Sequence, residues 1–260
     1  MNVVVCVKQV PDPNSVGQLD PVTHTLRREG VEVVLDPGDE FGVEAALQLA
    51  ESSGGDVTVV SMTPEKGAEA IRKALAMGCA RAVHITDAAL VGSDAITTAR
   101  VLAAAIARQP YDVVITATES TDGYSGVVPQ AMAEFLGIPA LTFAKEVSVQ
   151  DGTVRVKRQT EAGFDIVTAP TPCVVSVTAG INGVDNPRYP QLRGIMQAKS
   201  KPVERLTPAD LGITAVGSAA AGQVIVEVLP AEERGAGEIV EDDGTAAARI
   251  VAFLAERKVI

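Results

Sequence analysis

Residues 111–137 read YDVVITATESTDGYSGVVPQAMAEFLG, and three kinds of segment follow one another there. The first seven are short, β-branched and nearly all apolar, as expected for a strand buried on both faces of a parallel sheet. A hydroxyl- and glycine-rich turn comes next. From Val127 to Leu136 the pattern is that of an apolar helix, and Gly137 closes it. A strand that passes through a turn into a helix is the repeating unit of an α/β fold. Upstream the unit recurs, with strands expected at residues 2–8 (NVVVCVK), 56–62 (DVTVVSM) and 81–86 (RAVHIT). Asp36-Pro37 supplies a capping acceptor and a pre-set φ for the first helix. Val43, Ala46, Leu47 and Ala50 then fall at i, i+3, i+4 and i+7. Thr63-Pro64 predicts a second start of the same kind, with Ile71, Ala74 and Leu75 inside and Gly78 as the stop. Ser93 is the expected cap of a third helix, with Ile96, Ala99, Ala103 and Ile106 facing inward.

An insertion at residues 9–35 interrupts this rhythm. It carries turn clusters at 11–15 and 28–30, and residues 23–28 and 31–35 flank the second as an expected hairpin. Beyond residue 140, strand-like runs at 142–150, 153–159 and 164–168 are joined by Asp151-Gly152 and Glu161-Ala-Gly163, and 172–178 (PCVVSVT) returns as a buried strand. The fold class is therefore α/β: a doubly wound, mostly parallel sheet of adenine-nucleotide-binding type, with a hairpin insertion and a C-terminal arm. Residues 1–207 are expected to form the nucleotide-binding domain. Residues 208–260 are rich in Gly, Ala and acid before helical spacing resumes at 245–257, and read as a linker and a helical arm packing on a partner subunit.

Composition narrows the function. Lys+Arg 22 against Asp+Glu 33 gives a net charge of −11, which argues against nucleic acid as a partner. No stretch approaches the ~20 apolar residues of a membrane span. The N-terminal run lacks a basic head and a small-residue cleavage site, so no membrane insertion and a cytoplasmic location are expected. Cys6, Cys79 and Cys173 are far apart, with no CxxC, and two histidines cannot build a His-rich metal site. His84, inside a strand, reads as structural. Without Trp, and with only Tyr 3 and Phe 5, few rings are available to sandwich a planar ligand. The inventory suits a binding protein, with no catalytic residues and no metal, better than a self-sufficient enzyme.

In open parallel sheets ligands lie beyond the carboxyl ends of the strands. Four segments meet that condition: residues 6–9, 36–40, 61–64 and 117–129. In the last, the hydroxyls of Ser120, Thr121 and Ser125, with Gly123 and Gly126, let backbone approach an anion at a helix start without a lysine. The loop is neither GxxxxGK[ST] nor GxGxxG. Asp122 has two readings there, a ligand acceptor for a ribose hydroxyl or adenine amino group, or an Asx-turn closing its own loop.

Five ordered segments are similar to the beta subunit of electron transfer flavoproteins. They are Val5-Cys-Val-Lys-Gln-Val-Pro-Asp12, Asp36-Pro-x-Asp-Glu-x-x-x-Glu-Ala45, Arg72-Lys-Ala-Leu-Ala-Met-Gly78, Glu119-Ser-Thr-Asp-Gly123 and Asn186-Pro-Arg-Tyr-Pro-Gln-Leu-Arg-Gly-Ile-Met196. The similarity runs from residue 1 to about 213, and more loosely beyond. It implies a non-enzymatic electron carrier: a heterodimer with an alpha subunit that holds most of the FAD, a structural AMP in the beta subunit, acyl-CoA-type dehydrogenases of fatty acid beta-oxidation as donors, and a membrane-bound quinone reductase as acceptor. Carried across, the AMP contacts fall on Cys6, on Asp36, Pro37, Gly38 and Asp39, on Met62, and on Ala117, Thr118, Glu119, Ser120, Thr121, Asp122, Gly123, Tyr124, Ser125, Gly126, Val127 and Val128. Residues 183–195 resemble the loop whose leucine anchors a dehydrogenase, here Leu192, with Arg188, Tyr189 and Ile195 beside it.

Departures from the family pattern refine this. Members with a second FAD carry Asp-Gly-Asp-Thr where this chain has Asp122-Gly-Tyr-Ser125, which favours AMP. Pro13 and Gly38 stand where some members place aromatic side chains near the flavin. The alternatives from other classes are a stand-alone ATP- or AMP-binding stress-type module and an adenylyl-transfer enzyme; the SGGxDS and HxxH signals of the latter are absent.

Overall fold

Val3, Val5 and Val7 are buried on one side of the central sheet, while Val4 and Cys6 are buried on the other. A strand apolar on both faces must be covered on both faces, and that requirement organises the molecule. The computed structural model describes residues 1–15, 17, 19–28, 30–183, 187–229, 237 and 239–260. Glu29 of the second turn cluster, Asn186 of the docking motif and most of the acidic run at 232–237 lie outside the described residues. The chain separates into two units, Met1–Val224 and Ile225–Ile260.

In the first unit β1 (Asn2–Cys6), β4 (Asp56–Met62), β5 (Arg81–Ile85), β6 (Val113–Ala117), β7 (Ala140–Gln150), β8 (Thr153–Thr160), β9 (Gly163–Pro170), β10 (Cys173–Val177) and β11 (Val203–Leu206) form one sheet. Its order is β11-β5-β4-β1-β6-β10-β7-β8-β9. Neighbours are parallel from β11 to β7, and β8 and β9 continue antiparallel. Helices α1 (Pro37–Ser53) and α2 (Ala68–Met77) pack their apolar stripes on one face, joined by α5 (Leu192–Ala198). On the other face lie α3 (Ala95–Ile106) and α4 (Val128–Leu136). At Gly42 α1 packs on β6, where a Cβ would stand in ordinary contact, 3.6 Å from the Ile115 side chain. Layers on both faces of a mostly parallel sheet bear out the expected fold class.

Several local readings are corrected. The insertion is not a hairpin of 23–28 with 31–35. Instead β3 (Val33–Leu35) pairs antiparallel with β2 (Gln9–Pro11), directly after β1. That pairing buries Val10 and Leu35, whereas residues 23–28 make a single described bridge, Leu19 with Leu26. Thr63 does not cap the second helix. Its N–H bonds the Ile85 carbonyl at 3.1 Å as an extension of the sheet, and a 3-10 turn, Glu65–Gly67, precedes α2. Asp94, not Ser93, caps α3, with Oδ1 accepting from Thr97 N at 2.7 Å. A carboxylate suits the positive end of the helix better than a hydroxyl, and the Ser93 hydroxyl turns to the Leu90 carbonyl. Ile96, expected inside, is half exposed. Strand β11 was not foreseen, and Leu211, Ile213 and Val216, beyond the expected boundary at 207, pack on the α3–α4 side of the first unit. His84 is fully buried, with Nε2 3.0 Å from the Thr63 carbonyl, which is a structural setting.

The second unit contains α6 (Ala246–Glu256). None of its residues is buried, and Arg257 lies over the Phe253 ring. No described helix is long and apolar enough to cross a membrane.

Candidate functional site

After β1 the chain turns to β4 on one side, and after β5 it crosses to β6 on the other, so the strand order reverses between β1 and β6. A crevice opens at such a switch point, past the carboxyl ends of the two strands. Three segments meet there, tied by buried carboxylates. Asp36, fully buried, caps α1 by accepting from Gly38 N at 2.8 Å. Its second oxygen accepts from Thr121 N at 2.7 Å and Thr121 Oγ1 at 3.0 Å. One side chain therefore fixes both the start of α1 and the loop after β6.

Asp39 performs the same service for β1, accepting from Lys8 N at 2.7 Å. Burial, then the charge of Asp36, pushes the Asp39 carboxyl well above the usual range, against the opposing pull of Lys8 and of the Ala117 amide. Gly38 lies under this loop, and a Cβ there would stand 3.3 Å from the Ala117 Cβ and 3.2 Å from Asp36 Oδ1.

The loop itself folds tightly. Thr118 bonds the Val177 carbonyl through both its amide and its hydroxyl, and the Ser120 carbonyl accepts from Tyr124 N at 2.9 Å. Tyr124 (φ 48°) and Gly126 (φ 62°) take left-handed conformations, which bend the backbone into a concave turn before α4 begins at Val128. The first N–H groups of a helix have no partner within it. Asp122 does not use its side chain for an Asx-turn. One oxygen accepts from Lys8 Nζ at 2.6 Å, the other pairs with Arg28, and the side chain is 3% exposed. Burial raises its carboxyl, but the two cations outweigh burial and hold it below the usual range. Lys8 Nζ also lies 3.3 Å from Ser120 Oγ, so a lysine stands at the loop beside the hydroxyls expected there.

The structure thus gathers the candidates at Cys6, 36–39 and 117–128, and Met62 ends β4 beside β1. Lys8 lies inside the expected segment 6–9 but was not singled out there, although a cation directly after a strand is legible in principle. Arg28 was missed, because it lies 94 residues from its partner and left no local signal. The Cys6 thiol is buried, 4.0 Å from the Met132 sulfur. Burial, then Asp39, pushes it up and disfavours the thiolate a nucleophile requires. Burial likewise raises Cys79 to about 12 and Cys173 to about 11. Among the described residues no cluster of His, Cys, Asp and Glu could hold a metal ion.

The expected docking residues lie elsewhere, on and before α5. Tyr189 (87%) and Leu192 (74%) are widely exposed, and Ile195 and Met196 join them at helical spacing. Arg188 differs, since its guanidinium turns inward onto Glu44 and Glu51 of α1.

Comparisons with known proteins agree with this geometry. A family model described as an electron transfer flavoprotein domain matches residues 23–211. Over its full length the chain is 42% identical to the electron transfer flavoprotein subunit beta of Mycobacterium tuberculosis, 99% of which is covered. It is 35% identical to the Clostridium acetobutylicum protein of the same name, with both chains covered completely. The caffeyl-CoA reductase-Etf complex subunit CarD of Acetobacterium woodii is 32% identical, again over both full lengths. With a doubly wound sheet, a tied crevice at its switch point and full-length relatives of one kind, the chain belongs to the electron transfer flavoprotein beta-subunit family.

Proposed function

We propose that this electron transfer flavoprotein subunit is the non-catalytic half of a cytoplasmic heterodimer with an alpha subunit, and that it holds AMP in the β1–β6 crevice. The observation that carries the reading is the Asp36 bridge, which builds the crevice from two segments far apart in sequence. The residues fit an adenylate. Lys8 offers a cation at the loop, Ser120 and Ser125 offer hydroxyls, and the start of α4 offers N–H groups for a phosphate. Ser61 Oγ, Thr116 Oγ1 and Gln9 Oε1, at or just past the carboxyl ends of β4, β6 and β1, are buried without hydrogen-bond partners among the described residues. Buried polar atoms of that kind call for a ligand or water. Cys6 and Met62 would border the base. Among the described residues no metal-binding cluster accompanies them and burial keeps the Cys6 thiol protonated, which supports a structural rather than a reacting nucleotide.

Flavin fits this chain only in part. Pro13 and Gly38 offer no ring to stack on, and the chain has no Trp. FAD, held mainly by the alpha subunit, would supply the redox chemistry, while this chain shields one side of it and excludes water. Leu192 and its exposed neighbours would dock acyl-CoA-type dehydrogenases of fatty acid beta-oxidation as donors, with a membrane quinone reductase as acceptor. The arm at 225–260 would pack on the alpha subunit.

Purification of the chain alone and with its alpha subunit tests this. The isolated chain should be colourless and release AMP on denaturation, and only the pair should be yellow. A yellow isolated chain with stoichiometric FAD, or turnover of ATP with Mg²⁺, would overturn the proposal.

A further inference from the structure

The segment around α5 is fastened to the molecule at three points. Arg188 Nε donates to Glu44 Oε2 at 2.7 Å and Nη2 to Glu44 Oε1 at 3.0 Å. Nη1 and Nη2 donate to the two oxygens of Glu51 at 2.6 and 3.1 Å, and the Arg188 amide adds a bond to Glu44 at 3.1 Å. Both carboxylates stand on α1, seven residues apart on one face. Gly194 sits so close to α2 that any Cβ would overlap the Ala76 carbonyl oxygen. Lys201 Nζ donates to the Leu75 and Cys79 carbonyls at 2.8 and 2.6 Å, capping the end of α2. With Gly194 and Ala198 turned inward, Leu192, Ile195 and Met196 face outward as one apolar stripe.

A guanidinium that gives four of its five N–H donors to two carboxylates of its own chain has little left to offer a partner. Only arginine presents donors in a fixed plane able to bridge two carboxylates at once. Glu44 is nearly buried, with its side chain 7% exposed, so the pair is built into the scaffold rather than scattered on the surface. We infer that Arg188 is a positioning residue: it clamps the docking segment to α1 and presets the pose in which Leu192, Ile195 and Met196 meet an electron donor. This rests on the docking role proposed above. An interface held in its bound pose before contact avoids the cost of ordering it at each encounter.

The test uses the FAD-loaded heterodimer with an acyl-CoA-reduced dehydrogenase as donor. Leu192→Ala should raise the KM for the donor. Arg188→Ala should raise it about tenfold with kcat changed far less, the loss expected when one or two side chains must be ordered on each encounter. Arg188→Lys should fall between, because it keeps the charge and loses the fork. Glu51→Gln, which leaves the buried half of the clamp, serves where Arg188→Ala does not fold, and should raise KM by a smaller factor. If Leu192→Ala raises KM and the Arg188 and Glu51 variants do not, the clamp is refuted while docking stands. If Leu192→Ala has no effect, the docking role falls, and the inference with it.

Discussion

Replacing Asp36 by alanine removes three hydrogen bonds from one fully buried carboxylate. Loss of the α1 cap costs about 1 kcal/mol. The two bonds from Thr121 are worth about 1.5–3 kcal/mol each as bonds to a charged acceptor, but they share an oxygen and do not add in full. A total of about 3 kcal/mol corresponds to a fall in Tm of roughly 6–12 °C for a unit of this size. Asp36→Asn keeps one acceptor, so either Gly38 or Thr121 loses its bond, at about 1–1.5 kcal/mol. Differential scanning calorimetry measures both. Saturation with AMP supplies a second readout: at a hundred times Kd it should stabilise the unsubstituted chain by about 2.7 kcal/mol, and Asp36→Ala by clearly less, because the loop is no longer tied. Should Asp36→Ala melt within about 2 °C of the unsubstituted chain, the bridge would be ornamental and the crevice would owe its shape to something else.

The Arg188 clamp also predicts a pH dependence. For Glu44 burial raises the carboxyl, yet the Arg188 bonds outweigh burial and hold it below the usual range, and they do the same for Glu51. A depressed folded-state pKa contributes stability above the unfolded value and loses it as pH falls through the folded value. The gap in urea midpoint between Arg188→Ala and the unsubstituted chain should therefore be widest at neutral pH and narrow as the solution becomes acid; a gap that widens on acidification would contradict this. Gly194→Ala forces α5 away from the Ala76 carbonyl and should cost about 1–3 kcal/mol in urea denaturation. Lys8→Met should weaken AMP about tenfold in calorimetric titration, the equivalent of one charge-assisted contact; unchanged affinity would place the phosphate elsewhere. Deleting residues 225–260 should leave the melting of the Met1–Val224 unit intact and lower its affinity for the alpha subunit in gel filtration, since no residue of α6 is buried.

The sheet strands other than β2 and β11, the helix that begins at Pro37, the crevice loop and the family are legible in the sequence. Valine runs, Asp-Pro and Gly signals act over a few residues, and burial on two faces imprints them on the sequence directly. Where two local solutions were nearly equal, the reading failed. Ser93 and Asp94 are adjacent capping residues; the carboxylate suits the positive end of the helix better, and the Ser93 hydroxyl is taken by the Leu90 carbonyl. Residues 31–35 suggest a hairpin with 23–28 by proximity alone, whereas pairing with Gln9–Pro11 buries Val10 and Leu35.

The order of apolar periods along the chain was sufficient to specify an α/β sheet with a ligand crevice past its strand ends, because periodicity is a local record of burial. It carries no record of which loops converge. Lys8 meets Asp122 across 114 residues, and Arg188 meets Glu44 across 144. A charged side chain looks the same in sequence whether it is solvated or paired, so these contacts exist only once the sheet has brought its loops to one end and α5 has settled on α2.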